Sequence, residues 1–351
     1  MSDYVADDDV RFVSERKASK SAYIPELQGW RGFAIIFLMF GHFGPAPTHP
    51  MGRLGVEFFF VLSGRLMAQL LFVEQMSLRN FYVRRFSRIF PALWLFAAAA
   101  LVASLILGPF SIGLQDFFHA VTFTINYTES PRSMAHLWSL CVEEHSYVIL
   151  SIVTIAERRF GLKSIPVLTL LTLACMANGA IQSWLFGYEY HDVYWRTDTR
   201  AASIFVSAAV FLSVRSGLIN FGGATALAVT ALGLTLNLLE IVPDPIQYSL
   251  GTTCLAIGVA TVTKFPDIAV RILRNRIVSA LGLWSFSIYL WQQPFAHKES
   301  GQVLYLVGAL ACGLLSFHLF EGPVRRLINA RFAPDSKPHN TACCYATPNT
   351  R

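Results

Sequence analysis

Charged residues are scarce in this 351-residue chain, at 14% of the composition, while hydrophobic residues make up 54%. Mean hydropathy is accordingly high, at +0.47. So few charges cannot cover the surface of a water-soluble protein of this length. Long apolar runs recur along nearly the whole sequence instead. The composition therefore excludes an ordinary soluble protein and predicts an all-α, polytopic membrane protein.

The chain also lacks any cysteine pattern typical of a disulfide framework or a zinc site, although it contains six cysteines. Four of them fall inside apolar runs and are interpreted as small apolar packing residues: Cys141, Cys175, Cys254 and Cys312. The other two lie in the polar C-terminal stretch. No metal site is expected from the sequence.

Ten apolar segments are candidate membrane spans. They are 27–44, 54–76, 90–108, 137–156, 165–186, 200–216, 221–240, 247–264, 278–297 and 302–320. Residues 25–328 are therefore expected to form one membrane domain of about ten transmembrane helices. The N-terminal segment 1–24 lacks the apolar core of a cleavable signal peptide. It and residues 329–351 are predicted to be disordered cytoplasmic tails.

Lysine and arginine are divided unequally between alternate connecting segments. If the N-terminus is inside, 21 of the 28 lie in inside segments, and Arg31 and Arg65 fall within spans. The five outside are Arg53, Arg132, Arg196, Arg200 and Lys298. Cytoplasmic loops of membrane proteins carry the excess of Lys and Arg. Both termini are therefore predicted to be cytoplasmic. The same topology accounts for the net charge of +6, so no nucleic-acid partner is predicted.

Arg31 and His42 enclose ten uncharged residues in the first span. Eleven positions correspond to about three helical turns, so the two side chains lie on nearly the same face. Ionisable groups within a span commonly face a cavity or a partner. Two interpretations stay open at this point: a functional polar stripe, or an arginine that reaches the interface and a histidine that merely lies there.

Other polar clusters interrupt the apolar runs. Arg84, Arg85 and Arg88 open the third span, either as a topology anchor that binds anionic lipid or as a phosphate site, because guanidinium matches phosphate geometry. In the fourth span, Glu143 and Tyr147 lie one helical turn apart. A carboxylate there is a candidate to orient the His42 ring.

Six stretches, taken in order and spacing, resemble the acyltransferase-3 family of integral-membrane O-acyltransferases. They are "LQGWRGFAIIFLMFGHF", "GVEFFFVLSG", "FYVRRFSRIFPAL", "HLWSLCVEEHSY", "SFSIYLWQQP" and "FEGPVRRL", between about residues 25 and 328. The resemblance implies a bacterial inner-membrane enzyme that moves an acyl group, most often acetyl, from cytoplasmic acyl-CoA to a hydroxyl. The implied acceptor is a surface polysaccharide, exopolysaccharide, lipopolysaccharide or signalling oligosaccharide, free or lipid-linked. Acyl-CoA is a co-substrate, and no bound cofactor is implied. The chain has no room for a fused extracellular hydrolase-like domain, so the stand-alone type is expected.

The resemblance also implies roles for single residues. The family's arginine–ten residues–histidine motif falls on Arg31 and His42, its arginine-rich motif on Arg84, Arg85 and Arg88, and its SLxxExxxY motif on Ser139, Leu140, Glu143 and Tyr147. The chain departs from the family at Arg65, where an apolar residue is usual, and at Gln292, where histidine is common.

These residues suggest a mechanism. Arg84, Arg85 and Arg88 bind the CoA phosphates, and the pantetheine arm passes Arg31. His42 acts as general base on the acceptor hydroxyl, with Glu143 orienting it. The candidate contacts to the acceptor or to the oxyanion are Ser63, Arg65, Tyr147 and Gln292. A covalent acyl-histidine or acyl-serine intermediate stays open, as does succinyl or a longer acyl group.

Two other classes of protein fit the same features. The first is a multi-span transporter that exports an acylated or anionic metabolite through the Arg31, His42 and Glu143 positions. The second is a non-catalytic assembly or lipid-sensing subunit. Turnover of acyl-CoA by the purified protein distinguishes the enzyme from both.

Overall fold

A computed structural model describes residues 24–44, 49–108, 112–129, 131–296 and 302–333. Within these ranges every regular element is a helix. The α-helices are α1 (Pro25–Phe43), α2 (His49–Ala68), α3 (Leu78–Leu107), α4 (Leu114–Val121), α5 (Trp138–Phe160), α6 (Ser164–Ala180), α7 (Tyr190–Tyr194), α8 (Thr197–Arg215), α9 (Gly223–Leu238), α10 (Asp244–Ile246), α11 (Thr252–Ala260), α12 (Asp267–Leu273), α13 (Arg276–Gln292), α14 (Gln302–Leu315) and α15 (Gly322–Phe332). π-Helical turns adjoin several of them, at Gln69–Val73, Ile181–Leu185, Gln247–Gly251 and Ser316–Glu321.

The chain is a polytopic membrane helix bundle. Six helical stretches in the described ranges have the length and hydropathy of a membrane span: Pro50–Val73, Leu78–Ile106, Ala135–Phe160, Ser164–Leu185, Thr197–Arg215 and Val303–Phe332. The four other predicted segments are also helical, around α1, α9, α11 and α13, but they do not meet the same length and hydropathy.

Two helices extend beyond the predicted spans. α3 begins at Leu78 instead of residue 90, and α15 continues the last span to Phe332. The added turns are rich in arginine, so hydropathy alone does not include them. Residues 329–332, predicted to be disordered, form the last turn of α15, which packs against α3. The remaining parts of the two predicted tails, residues 1–23 and 334–351, lie outside the described residues.

α8 lies at the centre of the bundle and packs against α2, α5, α6 and α11. Many of its buried residues are alanine or serine, so neighbouring backbones approach closely there. A Cβ atom added at Gly64 of α2 would lie only 2.2 Å from the carbonyl oxygen of Ile204. About two turns from Gly64 along α2, Glu57 forms an ion pair with the buried Arg200 side chain of α8. Breaking a buried pair of this kind typically costs about 3–5 kcal/mol, so it fixes how α2 and α8 meet.

α1 packs between α2 and α13, and glycines bring α1 and α13 into backbone contact. A Cβ atom at Gly32 would lie 2.0 Å from the carbonyl oxygen of Val278. In the opposite direction, a Cβ atom at Gly282 would lie 2.1 Å from the carbonyl oxygen of Gln28. Only glycine fits either position without moving a backbone. This close approach allows polar side chains of α1 to reach α13.

Candidate active site

The two polar ends of α1 both contact α13. Arg31 Nη2 donates a hydrogen bond to Ser285 Oγ at 3.2 Å, and His42 Nδ1 lies 2.7 Å from Gln292 Oε1. Both contacts fall on one side of α1, as expected for residues three turns apart. The Gln292 amide is fully buried, and its Nε2 donates to Gln293 Oε1 at 3.0 Å. This second bond fixes the amide so that its oxygen faces the His42 ring.

A small cavity of about 60 Å³, here called the arginine cavity, lies beside Arg31. Arg85 and Arg88 of α3 line it as well, three residues apart on one face. Glu143 of α5 and Ser63 of α2 complete its polar lining together with serines of α5 and α13. Three predicted groups of residues, from α1, α3 and α5, therefore meet at one cavity.

Arg85 is the centre of a charged network in this cavity. Its Nη2 lies 2.8 Å from Glu144 Oε1 and 3.7 Å from Glu143 Oε2. Its guanidinium carbon lies 3.9 Å from the centroid of the Tyr147 ring, a cation–π distance. The Tyr147 hydroxyl donates to Glu143 Oε2 at 2.6 Å. Two carboxylates thus balance Arg85, while Arg31 and Arg88 supply further positive charge to the cavity.

A larger cavity of about 650 Å³, here called the histidine cavity, contains His42. Two more histidines line it, His136 and His191, and so do Arg53 and Arg132. Aromatic side chains form much of its remaining wall: Trp138, Tyr190, Tyr194, Trp195 and Tyr289. A Cβ atom at Gly52, also in the lining, would lie 3.7 Å from His42 Nε2, so this nitrogen lies next to the Gly52 backbone.

The two cavities share part of their walls. Val56 of α2 and Tyr289 of α13 line both. The Tyr289 hydroxyl donates to the backbone oxygen of His136 at 2.5 Å and lies 2.5 Å from Ser139 Oγ. These bonds fix the tyrosine ring at the boundary. Arg31 and Glu143 are thus on one side of a thin boundary, and His42 is on the other.

Four predicted site residues line neither cavity. Tyr147 and Gln292 each contact a lining residue, Glu143 and His42 respectively. The other two are Arg84 and Arg65. Arg84 is half-buried on α3, and the described lining of the arginine cavity contains Arg85 and Arg88 instead. Arg65 is buried in α2, where its Nη1 donates to Gln69 Oε1 at 3.4 Å and its guanidinium lies over the Phe211 ring. It lines neither cavity in the described part of the chain.

Sequence reasoning assigned no site role to Ser285, His136 or Arg53. Ser285 contacts Arg31 from more than 250 positions along the chain, and no local pattern marks it. His136 is buried, with Nε2 3.0 Å from the carbonyl oxygen of Leu290. Because that oxygen only accepts, Nε2 carries the ring proton. The only sequence signal for a role of His136 is its place in the stretch "HLWSL".

The tyrosines of α7 are neutral components of the histidine cavity. Burial raises the pKa of the Tyr190 and Tyr194 phenols well above their usual range. Both hydroxyls therefore stay protonated at neutral pH. The Tyr190 ring also lies 5.2 Å from the Arg53 guanidinium, and Arg53 forms an ion pair with Asp244 at 3.0 Å.

Comparison with known proteins gives a matching family model and several similar proteins. Residues 24–298 match the model of the family described as the acyltransferase domain. The chain is 25% identical to O-acetyltransferase OatA of Staphylococcus aureus over 90% of its own length, and 24% identical to peptidoglycan O-acetyltransferase OatA of Listeria monocytogenes over 87%. It is 26% identical over 88% to the putative peptidoglycan O-acetyltransferase YrhL of Bacillus subtilis. The chain spans 59%, 56% and 56% of the lengths of these relatives, respectively. No solved structure matches it.

Proposed function

Since the chain belongs to the acyltransferase domain family, we propose that it transfers an acyl group, most often acetyl, from cytoplasmic acyl-CoA to a hydroxyl of a glycan. The observation that carries this proposal is the pair of cavities with a common wall at Val56 and Tyr289. A donor and an acceptor that approach from opposite sides of a membrane need two such compartments. The relatives named for peptidoglycan make a cell-wall glycan the first acceptor to test.

The proposed topology is ten spans with both termini cytoplasmic, in the bacterial inner membrane. α3 then begins at the cytoplasmic face and carries Arg85 and Arg88 close to that face. α1 runs outward from Arg31 towards His42. The arginine cavity is accordingly the cytoplasmic compartment, and the histidine cavity is the outer one.

The arginine cavity suits the thioester arm of acyl-CoA. A volume of about 60 Å³ fits a narrow chain and excludes the nucleotide, which stays at the cytoplasmic mouth. Arg88 and Arg31 supply positive charge beyond the Arg85 network, and guanidinium groups bind phosphate oxygens in a fork. Arg84, close by on α3, is assigned to the nucleotide end of the donor.

His42 is assigned as the general base. Gln292 Oε1 only accepts hydrogen bonds, so His42 Nδ1 carries the ring proton and Nε2 is the basic nitrogen. Nε2 takes the proton of the acceptor hydroxyl, whose oxygen attacks the thioester carbonyl. The C–S bond then breaks, the CoA sulfur takes the proton from His42 Nε2, and CoA leaves as the thiol. Ser63, in the arginine cavity, is the candidate donor to the oxyanion.

In this mechanism Gln292 orients His42, and Glu143 balances Arg85. Glu143 accepts from Tyr147 and lies in the arginine cavity, so its charge stabilises the donor side of the site. A neutral amide fixes the tautomer of His42 without adding a charge beside it. The role of orienting His42, predicted for Glu143 from the sequence, is thus assigned to Gln292.

The test uses purified protein in liposomes with radiolabelled acetyl-CoA, and measures transfer to water and to peptidoglycan fragments. His42→Ala is expected to lose at least ~100-fold in rate, because a general base contributes that much. Binding of acetyl-CoA should persist in this variant. His145→Ala is the matched control, since His145 contacts Thr197 at 2.8 Å and lines neither cavity.

Two results would contradict the proposal. One is turnover in His42→Ala at the rate of the wild type. The other is acetyl-CoA binding without any turnover by the wild type across water and the glycan acceptors, which would favour the transporter.

A further inference from the structure

The arginines predicted on the outer side differ in how their charges are balanced. Arg200 pairs with the buried Glu57, and Arg53 pairs with Asp244. Arg196 binds both carboxylate oxygens of Asp198, at 2.9 and 2.8 Å. Arg132 alone has no carboxylate partner within the described ranges. It is also an exposed residue in the lining of the histidine cavity.

The histidine cavity supplies no negative side chain to balance Arg132. Among the described residues that line it, none is aspartate or glutamate. Tyr190 and Tyr194 in the lining are protonated, because burial raises the pKa of both phenols. The cavity therefore presents a net positive lining to whatever enters it, in a region of the protein where positive side chains are otherwise rare and paired.

The rest of the cavity suits a saccharide. Trp138 and Trp195 stack at an angle of 8° with ring centroids 6.3 Å apart, and the Tyr194 ring lies 4.8 Å from Trp138. Flat aromatic faces offer apolar contact to the C–H faces of sugar rings. Donors and acceptors close to them, on Arg53, His191 and Gln293, match the hydroxyls at a ring edge. A cavity of about 650 Å³ accommodates more than one sugar residue.

We propose that the histidine cavity binds an acidic glycan, and that Arg132 holds a carboxylate or phosphate group of that glycan. The inference rests on the proposed function, because it names the chemical class of the acceptor. Arg132 acts as a binding residue that selects the acceptor and leaves the chemistry to His42. An anionic group at Arg132 positions the saccharide so that a hydroxyl of the same molecule lies at the His42 side of the cavity.

The test measures binding by isothermal titration calorimetry with the full chain in lipid nanodiscs. Three probes are used: tetragalacturonate, neutral tetra-N-acetylchitotetraose and N-acetylglucosamine 1-phosphate. The wild type should bind tetragalacturonate about tenfold more tightly than the neutral tetrasaccharide at low salt. At 0.5 M salt this preference should shrink, because an exposed ion pair is screened. The relative affinities of the uronate and the phosphate identify which anion the site accepts.

The variants separate charge from folding. Arg132→Ala should weaken tetragalacturonate binding about three- to fivefold, as expected for an exposed charge pair. Arg132→Glu should weaken it further, and Arg132→Lys should keep most of the preference. Arg196→Ala removes an outer arginine that is already paired, and should bind like the wild type.

Equal affinity of the wild type for acidic and neutral probes overturns the inference, as does no measurable binding of either acidic probe. An equal loss in Arg196→Ala overturns it as well. Acetyl-CoA turnover is measured on the same samples. Tighter binding of the acidic probes without acetyl-CoA turnover would contradict the proposed function and leave the acidic-glycan site standing. Acetyl-CoA turnover without tighter binding of the acidic probes would support the proposed function and overturn the inference.

Discussion

At the scale of single residues, the partner of His42 is an amide. An orienting carboxylate both fixes the ring and stabilises its protonated form, while an amide does only the first. Gln292 is fully buried and held by a second bond, so it fixes the His42 ring firmly. The orientation of the proposed base is therefore set by a neutral group at the end of α13.

Gln292→Leu tests this role. The variant should lower kcat by about 10- to 100-fold, because His42 keeps its position but loses the bond that sets its tautomer. KM for acetyl-CoA should stay near the wild-type value, since the proposed donor site is the arginine cavity. Steady-state kinetics in liposomes with varied acetyl-CoA give both parameters.

Gln182→Leu is the matched control for that prediction. Gln182 is also buried, and its Oε1 has no hydrogen-bond partner in the described part of the chain. Its replacement should leave kcat within about twofold. A large loss in both variants would mean that kcat reports helix packing instead of His42 orientation.

The sequence predicted the α1 residues of the site but not their partners on α13. The spacing of Arg31 and His42 predicted one polar face, and both side chains contact α13. Their partners Ser285 and Gln292 lie about 250 positions away, and no local periodicity predicts a pair at that separation. The ion pair of Arg200 with Glu57 is absent from the predictions for the same reason.

At the scale of elements, the site depends on how closely α1 and α13 approach. The hydrogen bonds of Arg31 and His42 to α13 span 3.2 and 2.7 Å, distances that a wider helix spacing would not permit. The two glycines that face each other, Gly32 and Gly282, set that spacing. Small residues at a helix interface let the two backbones approach closely.

Gly282→Ala should therefore destabilise the protein and impair the site. The new methyl group would lie 2.1 Å from the carbonyl oxygen of Gln28, so α13 must move. Overpacking of this kind costs about 1–3 kcal/mol. The measurements are the thermal unfolding midpoint in detergent and acetyl-CoA turnover.

Gly222→Ala provides the comparison. A Cβ atom at Gly222 meets nothing within 4 Å, and the residue precedes α9 away from the site. This variant should unfold at the wild-type temperature and keep its turnover. If Gly282→Ala does the same, close contact between α1 and α13 is not required.

Helix boundaries were predicted well where hydropathy and helix coincide, as in α6 and α8. They were predicted too short in α3, because Arg84, Arg85 and Arg88 interrupt the apolar pattern while the backbone stays helical. Those turns are stabilised by contacts that hydropathy cannot represent. Arg85 pairs with Glu144, and Ser87 donates to Asn329 Oδ1 at 2.9 Å.

At the scale of the whole molecule, the positive-inside pattern predicts the sidedness of the proposed ten spans. Cys343 and Cys344 in the C-terminal segment report it directly. A membrane-impermeant maleimide should modify them only after the cells are permeabilised, as detected by mass spectrometry of the tail peptide. Labelling of this pair in intact cells would contradict a cytoplasmic C-terminus.

Glu129→Cys supplies the opposite signal in the same experiment. Glu129 is exposed and lies in the segment between α4 and α5, on the proposed outer side. Its cysteine should react in intact cells. The double variant Cys343→Ser, Cys344→Ser should lose the tail signal and so identifies the labelled peptide.

The cavities are the feature of the whole molecule that the sequence did not predict. Their walls combine residues from α1, α2, α3, α5, α7 and α13, and each wall residue taken alone has an ordinary place on its own helix. Only the packing of these helices creates two separate volumes. The sequence nevertheless supplied most of the polar residues that line the smaller one.

The common wall at Val56 and Tyr289 has an electrical consequence. On the proposed topology, water enters each cavity from its own side, so most of the membrane potential falls across this wall. A charged group that crosses it works against about 2.3 kcal/mol per elementary charge for every 100 mV. In the proposed mechanism the acetyl group moves outward, and the proton of the acceptor hydroxyl moves inward to the CoA sulfur. Acetyl-CoA and the free CoA thiol carry the same charge, and so do the acceptor hydroxyl and its ester, so the reaction moves no net charge across this wall. The equilibrium of acyl transfer is therefore independent of the membrane voltage, although its donor is highly charged.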